Sequence, residues 1–154
     1  MSNFVVKDAI LPALGASTRE EAIRELVTSL HAAGYFRATE IDDIVNAVLR
    51  REQLGSTGIG RHIAIPHSRY GGVSQLIGTV GISAKGVPFD SIDGEPVYVL
   101  VLLISPQDKP GDHLRALETV VRTMRDDNFV QELRTAGNRD AIWALLDRQQ
   151  PWER

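Results

Sequence analysis

The chain has 154 residues, 43% of them hydrophobic and 24% charged, with a formal net charge of −3 at pH 7. That balance suits one compact domain over residues 1–154, and its acidic excess argues against a general nucleic-acid partner. The lack of cysteine removes disulfides, thiolate chemistry and cysteine zinc sites. Nothing at the N-terminus reads as a signal peptide, and the longest apolar run, Val97 to Ile104, is too short to cross a bilayer. A cytoplasmic protein with no direct membrane insertion is expected.

In chain order, Ile10 to Leu14 reads as a strand that Pro12 confines to a sheet edge. Ser17 followed by Glu20 reads as a capping box, opening a helix whose Ala22, Ile23, Leu26, Val27 and Leu30 recur at helical spacing up to Gly34. His31, near the end of that helix, reads as structural. Thr39 can cap a second helix with Ile41, Ile44, Val45, Val48 and Leu49 as its apolar stripe.

A glycine-punctuated turn follows, GSTGIG, and then the apolar run Ile63, Ala64 and Ile65, which fits a buried strand. Leu76 to Ser83 and Val97 to Ser105 are further strands, separated by an Asp93-Gly94 turn. The latter is apolar on both faces, as a central strand between two layers would be. Pro110 opens a helix carrying Leu114, Leu117, Val120, Val121 and Met124. Asp127 or Asn128 caps a short helix with Val130 and Leu133 that ends near Gly137, and Asn138 caps a last one with Ile142, Leu145 and Leu146. Met124 and Trp143 fall at core positions, and the tail QQPWER reads as frayed or docked on the surface. The pattern predicts an α/β fold in three layers, a mixed sheet with helices on both faces.

One stretch carries chemistry. Pro66 has no N–H and interrupts a sheet ladder, so His67 is handed out of the sheet at a strand end. Gly58 and Gly60 can adopt positive φ and turn backbone N–H groups toward an anion. Ser56 and Thr57 could add hydroxyl donors, although such turn residues commonly bond their own backbone. Together these residues suggest a histidine beside an oxyanion.

The segments Arg50-Arg51-Glu52, GSTGIG, AIPH, FDSIDGEPVYVLVLLISP and His113-Leu114 with Leu117 occur in that order. In order and spacing they resemble the enzyme IIA domain of the fructose, mannitol and nitrogen-regulatory branch of the bacterial phosphotransferase system. The stand-alone nitrogen-regulatory members resemble the chain most. The resemblance implies a phosphohistidine carrier that needs no metal or organic cofactor. His67 would be the phosphoryl acceptor and a small histidine-containing phosphocarrier protein the donor. A IIB domain or regulatory target proteins would lie downstream.

By the same resemblance, His113 positions the acceptor or the phosphoryl group, from near the start of a helix whose dipole favours an anion. Arg51 would bind phosphoryl oxygens with its guanidinium fork, while Arg50 reads as a solvated helix residue. Thr57, Gly58 and Gly60 are the candidate phosphate-binding residues. Two departures stand out: Arg61-His62 where the family commonly has Asn-Gly, and Ser68 where it often has glycine. The first would bring basic groups near the anion site or be a harmless surface change. A histidine metal site from His62, His67 and His113 is the competing reading, but no carboxylate ligand set accompanies it.

Overall fold

The computed structural model describes residues 1–148, and the tail QQPWER lies outside them. Five strands, β1 (Gly58–Gly60), β2 (Ile63–Ala64), β3 (His67–Arg69), β4 (Ile77–Val87) and β5 (Val97–Ser105), form one mixed sheet. β5 lies at its centre. It pairs antiparallel with β4 on one side and parallel with both β2 and β3 on the other.

β2 and β3 are two halves of one line broken at Pro66. Ala64 faces Leu100 before the break and His67 faces Leu103 after it, so the register along β5 is kept. Proline removes the donor at that point, while its carbonyl still accepts the Leu103 N–H at 3.1 Å. The strand therefore resumes with His67 as its first residue, so His67 is not handed out of the sheet as expected but pairs with Leu103.

Five helices cover the sheet: α1 (Arg19–Ala32), α2 (Ile41–Gln53), α3 (Pro110–Thr123), α4 (Asp127–Thr135) and α5 (Arg139–Arg148). Alternate residues of β5 divide the core between them. Val99, Val101 and Leu103 pack with α3, α4 and α5, whereas Leu100, Leu102 and Ile104 pack with α1 and α2. This is the three-layer α/β arrangement expected of a strand apolar on both faces. Met124 is buried in the first layer and Trp143 packs against it. No helix among the described residues is long and apolar enough to cross a membrane.

Several local expectations are corrected. Ile10 to Leu14 is not a regular strand; a 3-10 turn (Lys7–Ala9) precedes it, and isolated bridges join Val5 to Gly78 and Leu11 to Gly81. The segment still runs along the outer edge of β4, with the Leu11 and Leu14 N–H groups donating to Val80 and Ile82. Pro12 keeps it from pairing continuously.

The α1 cap is Thr18 rather than Ser17: its hydroxyl accepts the Glu21 N–H at 3.2 Å, while Glu21 accepts the Ser17 N–H. The helix entrance is thus tied on both sides, by Thr18 to Glu21 and by Glu21 back to Ser17. α2 is entered through a 3-10 turn (Ala38–Glu40), where Glu40 accepts the Arg37 N–H and Thr39 caps nothing. Asp126, not Asp127 or Asn128, caps α4, accepting from Asn128 and Phe129. Asn138 caps α5 through the Ala141 N–H at 2.8 Å, as expected.

Candidate functional site

The break at Pro66 aims one imidazole. His67 Nδ1 lies 2.7 Å from the Ile65 carbonyl oxygen, which can only accept, so Nδ1 carries the proton. Nε2 is left with its lone pair. The ring lines an open cavity of about 510 Å³ together with Arg51, Ser68, Arg69, Gln107, Pro110 and His113.

Each wall comes from a different element. Arg51 stands in the last turn of α2 and donates to the Gly55 carbonyl at 2.9 Å. Arg50 beside it is exposed and does not line the cavity. Arg69 lies two residues beyond His67 on β3, and side chains two apart on a strand project from the same face. His113 stands in the first turn of α3, its ring centroid 5.3 Å from that of His67. Its Nδ1 is hydrogen-bonded to the hydroxyl of Ser105, the fully buried last residue of β5.

Electrostatically the cavity suits an anion. Its lining includes Arg51 and Arg69 and no carboxylate. Among the described residues neither arginine has an ion-pair partner. Burial holds the His67 imidazole below its ordinary 6.5, the nearby Arg51 charge adds to this, and the hydrogen bond to Ile65 partly opposes it. Burial, with His67, Arg69 and Arg51 as further causes, lowers His113 to about 4. Both rings are therefore neutral near neutral pH.

Thr57, Gly58 and Gly60 are not brought to this cavity. Thr57 is buried, and its N–H and hydroxyl both donate to the Glu52 carboxylate. Gly58 does not have positive φ; it lies in β1, where a Cβ would overlap the Ser91 hydroxyl. Gly60 has φ +89° and leads into the β1–β2 turn near Asp93. The glycines thus serve a tight hairpin, and the stretch read as a turn is partly strand. Ser56 donates its hydroxyl to the Phe89 carbonyl.

Arg61 and His62 are the two residues of the β1–β2 turn, with φ 57° and 70°. Arg61 reaches the Arg125 carbonyl and the Asp127 carboxylate beyond the C-terminal end of α3. That helix rises about 15 Å between His113 and its last residue, Thr123, so these basic groups do not join the anion site. His62 places Nδ1 2.9 Å from the Pro96 carbonyl oxygen and its ring edge-on to Tyr98. Among the described residues no three His, Cys, Asp or Glu side chains converge as a metal site would require. His31 bonds the Phe36 carbonyl at 2.8 Å and is structural.

A second cleft, of about 690 Å³, lies between α1 and the N-terminal segment, but its lining mixes carboxylates with arginines and holds no histidine. Arg69, Gln107 and Ser105 were not singled out in the sequence. Arg69 would follow from His67 by alternation only once β3 is known to continue past Pro66, and the contact between Ser105 and His113 exists only in three dimensions.

Residues 3–149 match the family described as "Phosphoenolpyruvate-dependent sugar phosphotransferase system, EIIA 2". A nitrogen regulatory protein from Bradyrhizobium diazoefficiens is 31% identical over 146 residues, covering 95% of this chain and 94% of that protein. The fructose-specific EIIABC component of Bacillus subtilis is 28% identical over 148 residues, 96% of this chain but 23% of that longer protein. Among solved structures, the nitrogen regulatory protein IIA-Ntr from Neisseria meningitidis superposes with a TM-score of 0.85 at 26% identity, covering 94% of this chain and 97% of that one. On these matches the chain belongs to the EIIA 2 family of the phosphoenolpyruvate-dependent sugar phosphotransferase system.

Proposed function

We propose that this chain is a cytoplasmic phosphohistidine carrier that accepts a phosphoryl group on Nε2 of His67 and acts mainly as a nitrogen-regulatory switch. The donor is the phosphohistidine of a small histidine-containing phosphocarrier protein. The observation that carries this reading is the hydrogen bond from His67 Nδ1 to Ile65, which leaves a neutral Nε2 lone pair facing a cavity lined by two arginines.

In the transfer, the His67 Nε2 lone pair forms a new N–P bond as the donor's N–P bond breaks. The donor imidazole leaves with the electron pair of the broken bond. Such a reaction depends on in-line placement and on stabilised equatorial oxygens more than on acid–base chemistry. Arg51 is the guanidinium for those oxygens, Arg69 a second cation beside them, and His113 a neutral donor. The step uses no metal or organic cofactor.

Phosphorylation adds a charge of about −1.5 to −2 to this surface near neutral pH, enough to make or break an interface with a regulatory target. Similarity over most of its length to a nitrogen regulatory protein supports the switch. The second reading, transfer onward to a separate fructose- or mannitol-type IIB subunit in sugar uptake, is supported by the fructose-specific relative.

Incubation with phosphoenolpyruvate, the first relay enzyme and the carrier protein tests the central claim. Acid-labile phosphate is expected on the unaltered protein and none on His67→Ala; label retained in that variant overturns the assignment. Pull-downs with the phosphorylated and unphosphorylated forms then separate a state-dependent regulatory partner from a IIB subunit.

A further inference from the structure

Ser105 is fully buried at the end of β5, and its Oγ bonds Nδ1 of His113. Among the described residues this hydroxyl has no other hydrogen-bond partner. A serine hydroxyl carries one proton, and a buried one left unpaired is unfavourable. If His113 Nδ1–H donated to Ser105, the hydroxyl proton would have no acceptor. If Ser105 donates to Nδ1, both groups are satisfied and the imidazole proton must sit on Nε2.

We infer that Ser105 is a positioning residue that fixes His113 as its Nε2–H tautomer, so that the second histidine of the cavity offers a hydrogen-bond donor to a phosphoryl oxygen. The inference rests on the proposed function for the identity of the anion and on geometry alone for the tautomer. The opposite tautomer would present a lone pair to an anion and repel it. Arg51 and Arg69 lie along the same cavity, so three donors from three elements would surround the oxygens.

The lowered affinity of His113 for a second proton supports this arrangement, because the ring stays neutral and keeps a single N–H for the cavity. Other charged groups facing it are Arg51 and Arg69, with His67 alongside, and all disfavour protonation. The device is cheap in sequence terms: one hydroxyl sets the direction of a proton three bonds away in the ring.

Long-range proton–nitrogen spectra of the protein with isotope-labelled histidine read the tautomer directly and need no carrier protein. The Nε2–H form is expected for His113 in the unaltered protein. Ser105→Ala should shift its nitrogen signals toward a tautomer mixture and slow phosphoryl transfer by roughly tenfold, while Ser105→Thr, which keeps the hydroxyl, should restore both. An Nδ1–H His113 in the unaltered protein overturns the inference, as does a Ser105→Ala protein with unchanged tautomer and rate. Should Ser105→Ala not fold, the tautomer in the unaltered and Ser105→Thr proteins still decides. Label retained in His67→Ala would instead refute the carrier function and leave the tautomer result standing.

Discussion

The Glu52 carboxylate accepts both the backbone N–H of Thr57, at 3.2 Å, and its hydroxyl. From there the chain of bonds runs to the acceptor: the Thr57 carbonyl takes the Ile65 N–H at 3.0 Å, and the Ile65 carbonyl takes the His67 Nδ1–H. Glu52 is buried, with Arg19 at 3.7 Å as its cationic neighbour. A carboxylate adjacent to Arg51 in sequence thus holds the frame that orients the imidazole.

Removing that carboxylate leaves two donors of Thr57 and the Arg19 charge without their partner. Glu52→Ala is expected to cost about 2–4 kcal/mol of stability, read as a lower urea midpoint at constant slope, and to slow labelling of His67. Glu52→Gln, which keeps acceptor capacity, should lose less. A midpoint unchanged in Glu52→Ala would show that the frame contributes nothing.

Much of this architecture was legible because it follows from patterning. The two-sided apolar run of β5 implied two covering layers, and Pro66 located the strand break. His67, expected to leave the sheet, is instead half-buried at the start of β3, because only proline's donor is lost and the ladder resumes at Leu103. The cavity itself was partly legible: Arg51 and His113 came from resemblance, whereas Arg69 was not, because its place beside His67 depends on β3 continuing past Pro66. Thr57 illustrates what was not legible. A hydroxyl in a glycine-rich segment looks like an anion donor until the buried Glu52 that occupies it is seen, and that pairing depends on how α2 ends. The caps at Thr18 and Asp126 were missed by one residue because neighbouring residues have equivalent capping chemistry.

The histidines make stability depend on pH with a definite sign. His113 binds its proton at about 4 in the folded protein against about 6.5 unfolded, so between these values the unfolded chain holds more protons. Stability from this source is full above about 6.5 and falls as the pH drops toward about 4, then levels off. His67 is shifted in the same direction. Urea unfolding across that window should show a shallower acid loss for His113→Gln than for the unaltered protein. Parallel curves would mean that His113 does not contribute.

His113→Ala should leave the fold intact, since the ring lies at the cavity wall rather than in the main core, yet slow phosphoryl transfer by about 10- to 100-fold. Single-turnover rates measured in both directions check this. Equal rates with and without the imidazole would remove His113 from the phosphoryl-binding role.

Arg69 provides a test of the cavity's charge. Arg69→Ala removes one of its two arginines, neither of which has an ion-pair partner among the described residues, and should slow transfer by about tenfold while leaving stability within about 0.5 kcal/mol. Arg69→Lys should recover part of the rate, because a point charge replaces a planar fork. The defect should also shrink as salt is added if Arg69 acts through its charge, because screening weakens that charge in the unaltered protein. A salt-independent loss would point to packing instead.

The turn at Arg61-His62 offers a prediction in the opposite direction. A two-residue hairpin with positive φ at both positions favours Asn-Gly, and left-handed backbone costs about 1–2 kcal/mol at an ordinary side chain. Set against that strain are the His62 contact with Pro96 and the partly exposed Arg61–Asp127 pair, which together offer about 1–2 kcal/mol. With two such residues the strain is about 2–4 kcal/mol, part of which asparagine keeps, so replacing both, Arg61→Asn with His62→Gly, should leave stability unchanged or raise it by up to about 2 kcal/mol. Because neither side chain lines the His67 cavity, transfer from the carrier should change by less than about twofold. A large drop in rate with the fold intact would place this hairpin in contact with the donor protein, making the departure from Asn-Gly a matter of partner choice.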